Sequence, residues 1–142
     1  EHTNLVDADL REANLFRALL NHSNLTSANL SFANLEAADL VGVRMDNANL
    51  TQANLKDAYM SGLGTSLQNT NLQKANLMNA YLRKTDFSGA DLQWANLTGA
   101  DLTGANLSQA NLKNAILAGA KIDRAVFCAT TMPDGFVNNS GC

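Results

Sequence analysis

Few residues in this 142-residue chain could support catalysis or metal binding. Its two histidines are His2, in the N-terminal tail, and His22, at an outward position, and neither has an evident catalytic partner. Because catalysis needs several titratable side chains that converge in a pocket, the sequence offers neither a triad nor a carboxylate pair. It therefore predicts a protein that is not an enzyme, with no catalytic residue, no metal site and no cofactor.

The two cysteines, Cys128 and Cys142, bracket the tail "CATTMPDGFVNNSGC". Their spacing rules out a CxxC redox pair, so two interpretations remain: a disulfide or two free thiols. The disulfide is preferred, and closing a loop of this length would constrain the unfolded chain by about 3 kcal/mol. A disulfide would also imply an oxidising compartment.

A five-residue period organises the rest of the chain. An apolar residue, mostly Leu, recurs at every fifth position from Leu5 to Met60, and again from Leu67 to Phe127 in a shifted register. We call it the centre position. The residue two before it is small (the small position), and the residue just before it is mostly Asn or Asp (the Asn/Asp position). Only the segment 61–66, "SGLGTS", interrupts the count.

This period suits neither a helix nor a flat strand. On a helix, successive centres would lie about 140° apart and spread over every side. On a strand, an odd spacing would place them on alternate faces. The chain must therefore turn a corner once per repeat, so that the centres and the small residues point inward together. We expect the Asn and Asp residues to form the corners, because both accept turn conformations.

The pattern A-[ND]-L-x-x over residues 3–127 resembles the pentapeptide repeat family. The resemblance implies an all-β fold, a right-handed quadrilateral β-helix with four repeats per coil and about six coils. The chain then divides into a β-helix of residues 1–127, with two residues inserted within 61–66, and a short C-terminal cap of residues 128–142 closed by the disulfide. In that cap, Met132 is expected to point inward, and Phe136 and Val137 to cover the last coil.

Charge and hydropathy limit the partners. The formal net charge is −3, which argues against direct nucleic-acid binding, and no apolar run is long enough to span a membrane. Some members of the resembled family inhibit DNA gyrase by mimicking duplex DNA through a long acidic surface, which makes a topoisomerase regulator the alternative function. Outside the Asn/Asp position, however, acidic and basic residues are equal in number, so a continuous negative field is not expected.

The sequence singles out Tyr59, Leu63 and Tyr81 as an interaction surface. In four columns of repeats the two tyrosines are neighbours beside the "SGLGTS" corner. They form either a protein-docking site or an aromatic pair that stabilises the ladder, and the inserted segment is either a recognition loop or a tolerated insertion. The preferred function is a structural scaffold or protein-interaction module with an unknown protein partner, as a monomer.

The tail "TTMPDGFVNNSGC" resembles the endings of pentapeptide repeat proteins exported to the thylakoid lumen or periplasm in chloroplasts and cyanobacteria. Together with the expected disulfide, it predicts an extracytoplasmic location. Because the first residue is Glu1 and only "EHT" precedes the first repeat, a processed chain that lacks its N-terminal cap is expected. A redox-sensitive binding protein that acts through Cys128 and Cys142 is a further alternative.

Overall fold

The structure, a computed structural model, describes residues 2–142; Glu1 lies outside them. Short extended segments stack through parallel bridges, and outside the 61–66 segment each bridge joins residues 20 positions apart, as in Asn4 to Asn24 and Asp9 to Asn29. One coil therefore takes four repeats and has four sides. Residues 2–142 contain no helix.

Four columns of Asn/Asp positions run along the four sides of the coil. One column, which we call the tyrosine face, consists of Leu19, Asp39, Tyr59, Tyr81, Asp101 and Lys121. A second column, which we call the asparagine face, consists of Asn14, Asn34, Asn54, Asn76, Asn96 and Ile116. Each face presents one side chain per coil at the bridge spacing, about 4.8 Å.

The core is a narrow stack of leucines and alanines. Centre and small positions from Leu25 to Leu112 are buried, and Met45, Met60 and Phe87 take the place of Leu at three centres. This burial supplies the main driving force for folding. At the two ends the stack is less covered: Leu5 is only partly buried, and Ile122 is 41% exposed because no further coil lies over it.

The corners are formed by the two residues that follow each centre. At each regular corner the small residue donates its N–H to the preceding centre, as Ala8 does to the carbonyl of Leu5 at 3.1 Å. The second corner residue has a positive φ, near +56° at Asp7 and +68° at Gly42. A positive φ at this place is the signature of a type II turn, for which Gly and Asn are best suited.

The Asn and Asp residues do not form the corners, contrary to the sequence-based expectation. They lie in the middle of each side, and each side-chain Oδ1 accepts a hydrogen bond from the N–H two residues later, as Asn24 does from Thr26 at 3.1 Å. Every Asn or Asp at the Asn/Asp position makes this bond. Asn and Asp side chains readily bond to nearby backbone, and here they stabilise the corner although they lie outside it.

The "SGLGTS" segment lengthens one coil by two residues. Bridges across it join positions 22 apart, as in Arg44 to Ser66, and the separation returns to 20 from Ser66 to Asp86. Within the segment, Gly62 donates its N–H to Arg83 O at 2.8 Å. The Thr65 hydroxyl accepts the Gly42 N–H at 2.9 Å, so a side chain replaces the carbonyl that a regular coil would supply. Leu63 points outward and is 87% exposed.

The tail carries a two-stranded antiparallel hairpin. Strand β1 is Thr130–Thr131 and strand β2 is Val137–Asn138. A disulfide joins Cys128 to Cys142, and Met132 is partly buried against the core. Phe136 is 75% exposed and Val137 is also exposed, so the expectation that they cover the last coil is wrong. The hairpin directs these two side chains away from the stack.

Candidate functional site

The groups able to do acid–base chemistry do not converge. The rings of His2 and His22 stack at a centroid distance of 5.4 Å, and no carboxylate of residues 2–142 forms an ion pair with either of them. Among residues 2–142 no three His, Cys, Asp or Glu side chains are placed to share a metal ion. Within the same range, no helix is long and apolar enough to cross a membrane.

Of the four faces, the tyrosine face has the most residues other than Asn or Asp at the Asn/Asp position. Four of its six Asn/Asp positions hold other residues, and these are Leu19, Tyr59, Tyr81 and Lys121. The asparagine face has one such departure, Ile116. Leu19 is 68% exposed, and each tyrosine is 47% exposed. Because these side chains point outward, they contribute little to the core, and core packing does not explain their presence.

The two tyrosines are neighbours in adjacent coils. Their ring centroids are 4.8 Å apart and the ring planes differ by 3°, so one face of each ring covers the other. Such a pair stabilises the ladder by about 0.5–1.5 kcal/mol. The remaining ring face of Tyr59 is turned towards the preceding coil, where Asp39 is its bridge partner.

The departures leave corners without their usual hydrogen bond. An Asn at position 59 would accept the N–H of Ser61, but the tyrosine has no acceptor in that place. At the next coil the Ser61 hydroxyl accepts the Arg83 N–H at 3.3 Å, which compensates for Tyr81. On the tyrosine face, Tyr59 and Tyr81 therefore do not make the side-chain hydrogen bond to the corner N–H that the Asn residues of the asparagine face make.

Beside Tyr59 lies an open depression of about 520 Å³, which we call the Asp39 depression; it is lined by Arg17, Leu19, Ala37, Asp39, Val41 and Tyr59. Its walls are mainly apolar. Oδ1 of Asp39 accepts the Val41 N–H at 3.2 Å, and no Lys or Arg among residues 2–142 forms an ion pair with this carboxylate. The guanidinium of Arg17 instead lies 5.0 Å from the centroid of the Phe16 ring.

Asp101 holds the same position three coils further on, but its charge is compensated. Its Oδ2 is 3.4 Å from Nη1 of Arg83. Burial raises the pKa of Asp101, but the hydrogen bonds from Thr103 and the charge of Arg83 outweigh burial and hold this pKa below its ordinary value. Asp39 and Asp101 are therefore a matched pair, one without an ionic partner and one with it.

Comparison with models of known protein families matches most of the chain. The family described as "Pentapeptide repeats (8 copies)" matches residues 1–31, 28–62, 64–99 and 90–128, which together include most of the chain. The chain belongs to the pentapeptide repeat family. A comparison with curated proteins finds no significant match.

Solved structures include several similar pentapeptide repeat proteins. HetL, involved in heterocyst differentiation regulation in the cyanobacterium Nostoc sp. strain PCC 7120, is 31% identical, with 97% of this chain and 78% of HetL covered and a TM-score of 0.52. A second protein from Nostoc PCC 7120 is 34% identical over 54% of this chain and 62% of its own, with a TM-score of 0.52. One from the Arabidopsis thaliana thylakoid lumen is 30% identical, with 76% and 67% covered and a TM-score of 0.43.

In this pentapeptide repeat protein, the structure brings Tyr59 and Tyr81 together and places Leu63 at the corner that follows Tyr59. Sequence reasoning missed Leu19 and Asp39, which extend the same surface. The signal was present, because Leu19 is an apolar residue at an Asn/Asp position and falls in the same column as both tyrosines. Sorting the departures by column would have found it.

Proposed function

We propose that this pentapeptide repeat protein is a non-enzymatic scaffold that binds a protein partner through the tyrosine face. The observation that carries the proposal is the exposed, stacked pair of Tyr59 and Tyr81 in the same column as the exposed Leu19. Leu19, Tyr59 and Tyr81 replace residues that would cap the corners, and their side chains are exposed. Tyrosines are enriched at protein interfaces because they bury a large apolar area and keep a polar group available.

Leu63 supports the same surface. It lies at the corner that bounds the tyrosine face, and it is almost fully exposed. Exposed apolar side chains that cluster are more informative than scattered ones, since they mark interaction sites. We propose that Tyr59, Leu63 and Tyr81 form the centre of the contact and that Leu19 extends it towards the N-terminal end.

The architecture suits a scaffold. We propose a right-handed rod of about six coils over residues 1–127, closed at its C-terminal end by residues 128–142, which is a monomer by itself. The narrow stack of Leu and Ala in the core leaves no cavity for a substrate. The similarity to HetL, a protein involved in regulating differentiation, supports a regulatory role through contacts with other proteins.

We also propose an extracytoplasmic location, a periplasm or a thylakoid lumen. The disulfide between Cys128 and Cys142 supports it, because disulfides persist in oxidising compartments. Gyrase regulation is the less favoured alternative, since acidic and basic residues are interspersed on the outer surface and the described residues 2–142 contain five ion pairs between them. A supercoiling assay is expected to show no inhibition by this protein.

Site-specific photo-crosslinking in native extract tests the tyrosine face. A benzophenone amino acid is placed at Leu19 or Tyr81 on that face, and at Asn29 or Asn96 on other faces as matched controls. All four side chains point outward at Asn/Asp positions. We expect the first two variants to form an adduct with one and the same protein and the two controls to form none. Adducts formed equally from all four positions would contradict the proposal.

A further inference from the structure

We infer that the Asp39 depression receives an arginine side chain of the protein partner, an inference that rests on the proposed function of the tyrosine face. The argument comes from three features of the depression: an uncompensated carboxylate, an open aromatic face and aliphatic walls. An arginine side chain carries the complementary groups, a planar cation on an apolar stem.

The carboxylate of Asp39 supplies the charge. Its Oδ1 is engaged by the Val41 N–H, whereas no basic side chain of the described chain is within ion-pair distance of either oxygen. The equivalent Asp101 already has Arg83. A partner's guanidinium at Asp39 would reproduce, between two molecules, the pairing that Asp101 makes within the chain.

Tyr59 supplies the aromatic surface. Because Tyr81 covers one face of its ring, the other face is on the side of Asp39 and borders the depression. A guanidinium that approaches Asp39 from outside would lie near this ring face, where cation–π attraction adds to the ion pair. Leu19 and Val41 would contact the methylene groups of the arginine stem.

Arg17 limits how the partner is oriented. It borders the same depression, and its positive charge opposes a second cation on that side. Its guanidinium rests near the Phe16 ring, with no carboxylate of residues 2–142 in an ion pair with it. We therefore expect an acidic residue next to the inserted arginine in the partner, where it would pair with Arg17.

The test uses the full chain and short peptides as probes, followed by backbone amide resonances in NMR. The probe is acetyl-Gly-Arg-Gly-amide, and the control peptide has citrulline, which has nearly the same shape without the charge. We expect the arginine peptide to shift the amides of Leu19, Val41 and Tyr59, with saturation in the millimolar range, and the citrulline peptide to bind at least about five-fold more weakly.

Two variants separate the charge from the fold. Asp39→Asn keeps an acceptor for the Val41 N–H and introduces the commonest residue at this position of the repeat, so the coil is retained. We expect it to weaken arginine-peptide binding by about two- to five-fold, whereas Asp101→Asn leaves it unchanged. Equal binding of the citrulline peptide, no saturable shift, or no effect of Asp39→Asn would each overturn the inference.

The outcomes also distinguish this inference from the proposed function. If Tyr59→Asn with Tyr81→Asn abolishes binding of the cross-linked partner while Asp39→Asn does not change it, the tyrosine face is the binding surface and the arginine assignment is wrong. If none of these substitutions changes partner binding, the proposed function itself is wrong, whatever the peptides do.

Discussion

The rings of Tyr59 and Tyr81 stack across adjacent coils with their centroids 4.8 Å apart. Each tyrosine occupies the position of the repeat where most repeats have Asn or Asp, whose side chains cap the next corner. Stacking and capping are therefore alternative ways to stabilise this face, and substitutions can exchange one for the other.

Replacing both tyrosines by Asn is expected to leave the protein about as stable as before. The variant loses a stacked pair that contributes about 0.5–1.5 kcal/mol and gains hydrogen bonds that contribute about 0.5–1.5 kcal/mol each. We expect the free energy of unfolding in urea to stay within about 1 kcal/mol of the wild type. Replacing both by Ala removes the stack without adding acceptors, so the Ala variant should be the less stable of the two.

Thr65→Val is expected to destabilise the coil at the insertion. The hydroxyl of Thr65 is the acceptor for the Gly42 N–H, and a buried donor without a partner costs about 1–3 kcal/mol. Thr70→Val is the matched control: Thr70 donates to Met45 O, which also accepts the N–H of Ala48. Chemical denaturation should show a larger loss for Thr65→Val, and equal losses would mean that the hydroxyl does not replace the missing carbonyl.

Gly42→Ala is expected to cost more than Gly104→Ala. Both glycines have φ near +70° at the same corner column, where an alanine is strained by about 1–2 kcal/mol. A β-carbon on Gly42 would also overlap Nδ1 of His22, whereas on Gly104 it would meet Lys84 Cγ at an ordinary contact distance of 3.5 Å.

A double-mutant cycle isolates the His22 contribution. In a His22→Ala background the two glycine substitutions should cost nearly the same, because only the backbone strain remains. If the excess cost of Gly42→Ala persists in that background, the imidazole is not its cause.

Removing the disulfide is expected to loosen the tail and leave the coils folded. Residues 128–133 are hydrogen-bonded to the preceding coil, as Thr131 N–H is to Ala110 O at 3.0 Å, whereas the end of the tail returns to the coil through bonds such as Phe127 N–H to Ser140 O at 3.0 Å. Cys128→Ser with Cys142→Ser should reduce local stability there by up to about 3 kcal/mol. Hydrogen exchange should accelerate in residues 127–142 and stay unchanged from Leu25 to Leu97.

Partner binding by that cysteine variant distinguishes a binding site on the tyrosine face from a redox-sensitive protein that acts through Cys128 and Cys142. A binding site on the tyrosine face predicts unchanged affinity, because Tyr59 and Tyr81 are remote from the tail in the column of coils. Loss of affinity on reduction would favour the redox-sensitive alternative.

Much of the fold follows from the sequence because a single physical restriction repeats. A core one leucine wide requires a large residue at the centre and a small one two positions earlier, and both can be recognised from residue type alone. The inward direction of Leu30 and Ala28, and the alignment of Tyr59 with Tyr81, follow from counting in fives and twenties.

The corner was harder to predict because two different residues contribute to it. One adopts the left-handed conformation, and the other supplies the side-chain hydrogen bond. The left-handed residue lies two positions after the centre, as Ala37 does with φ near +56°, whereas the Asn or Asp that bonds to the corner precedes the centre. Gly and Asn recur at the left-handed position, as in Gly99 and Asn79, and this enrichment is the signal that would have located it.

The five-residue pattern predicts neither the side-chain directions in the tail nor the shape of the proposed binding surface. Phe136 and Val137 are apolar, but the hairpin from Thr130 to Asn138 sets their direction, and it turns them outward. The Asp39 depression arises where the small Ala37 lies among larger neighbours from three coils. Neither arrangement follows from residue type without the path of the chain.

The most direct test of the account measures the affinity of the purified cross-linked partner for two proteins. These are the wild type and the variant that carries both Tyr59→Asn and Tyr81→Asn. Trp94→Asn removes an exposed aromatic residue that lies off the tyrosine face and is the control. With thermal stability measured alongside, the account predicts at least about ten-fold weaker binding by the double variant, as expected for two aromatic interface residues, and unchanged binding by the control. Equal affinity of the double variant and the wild type, with both folded, would contradict it.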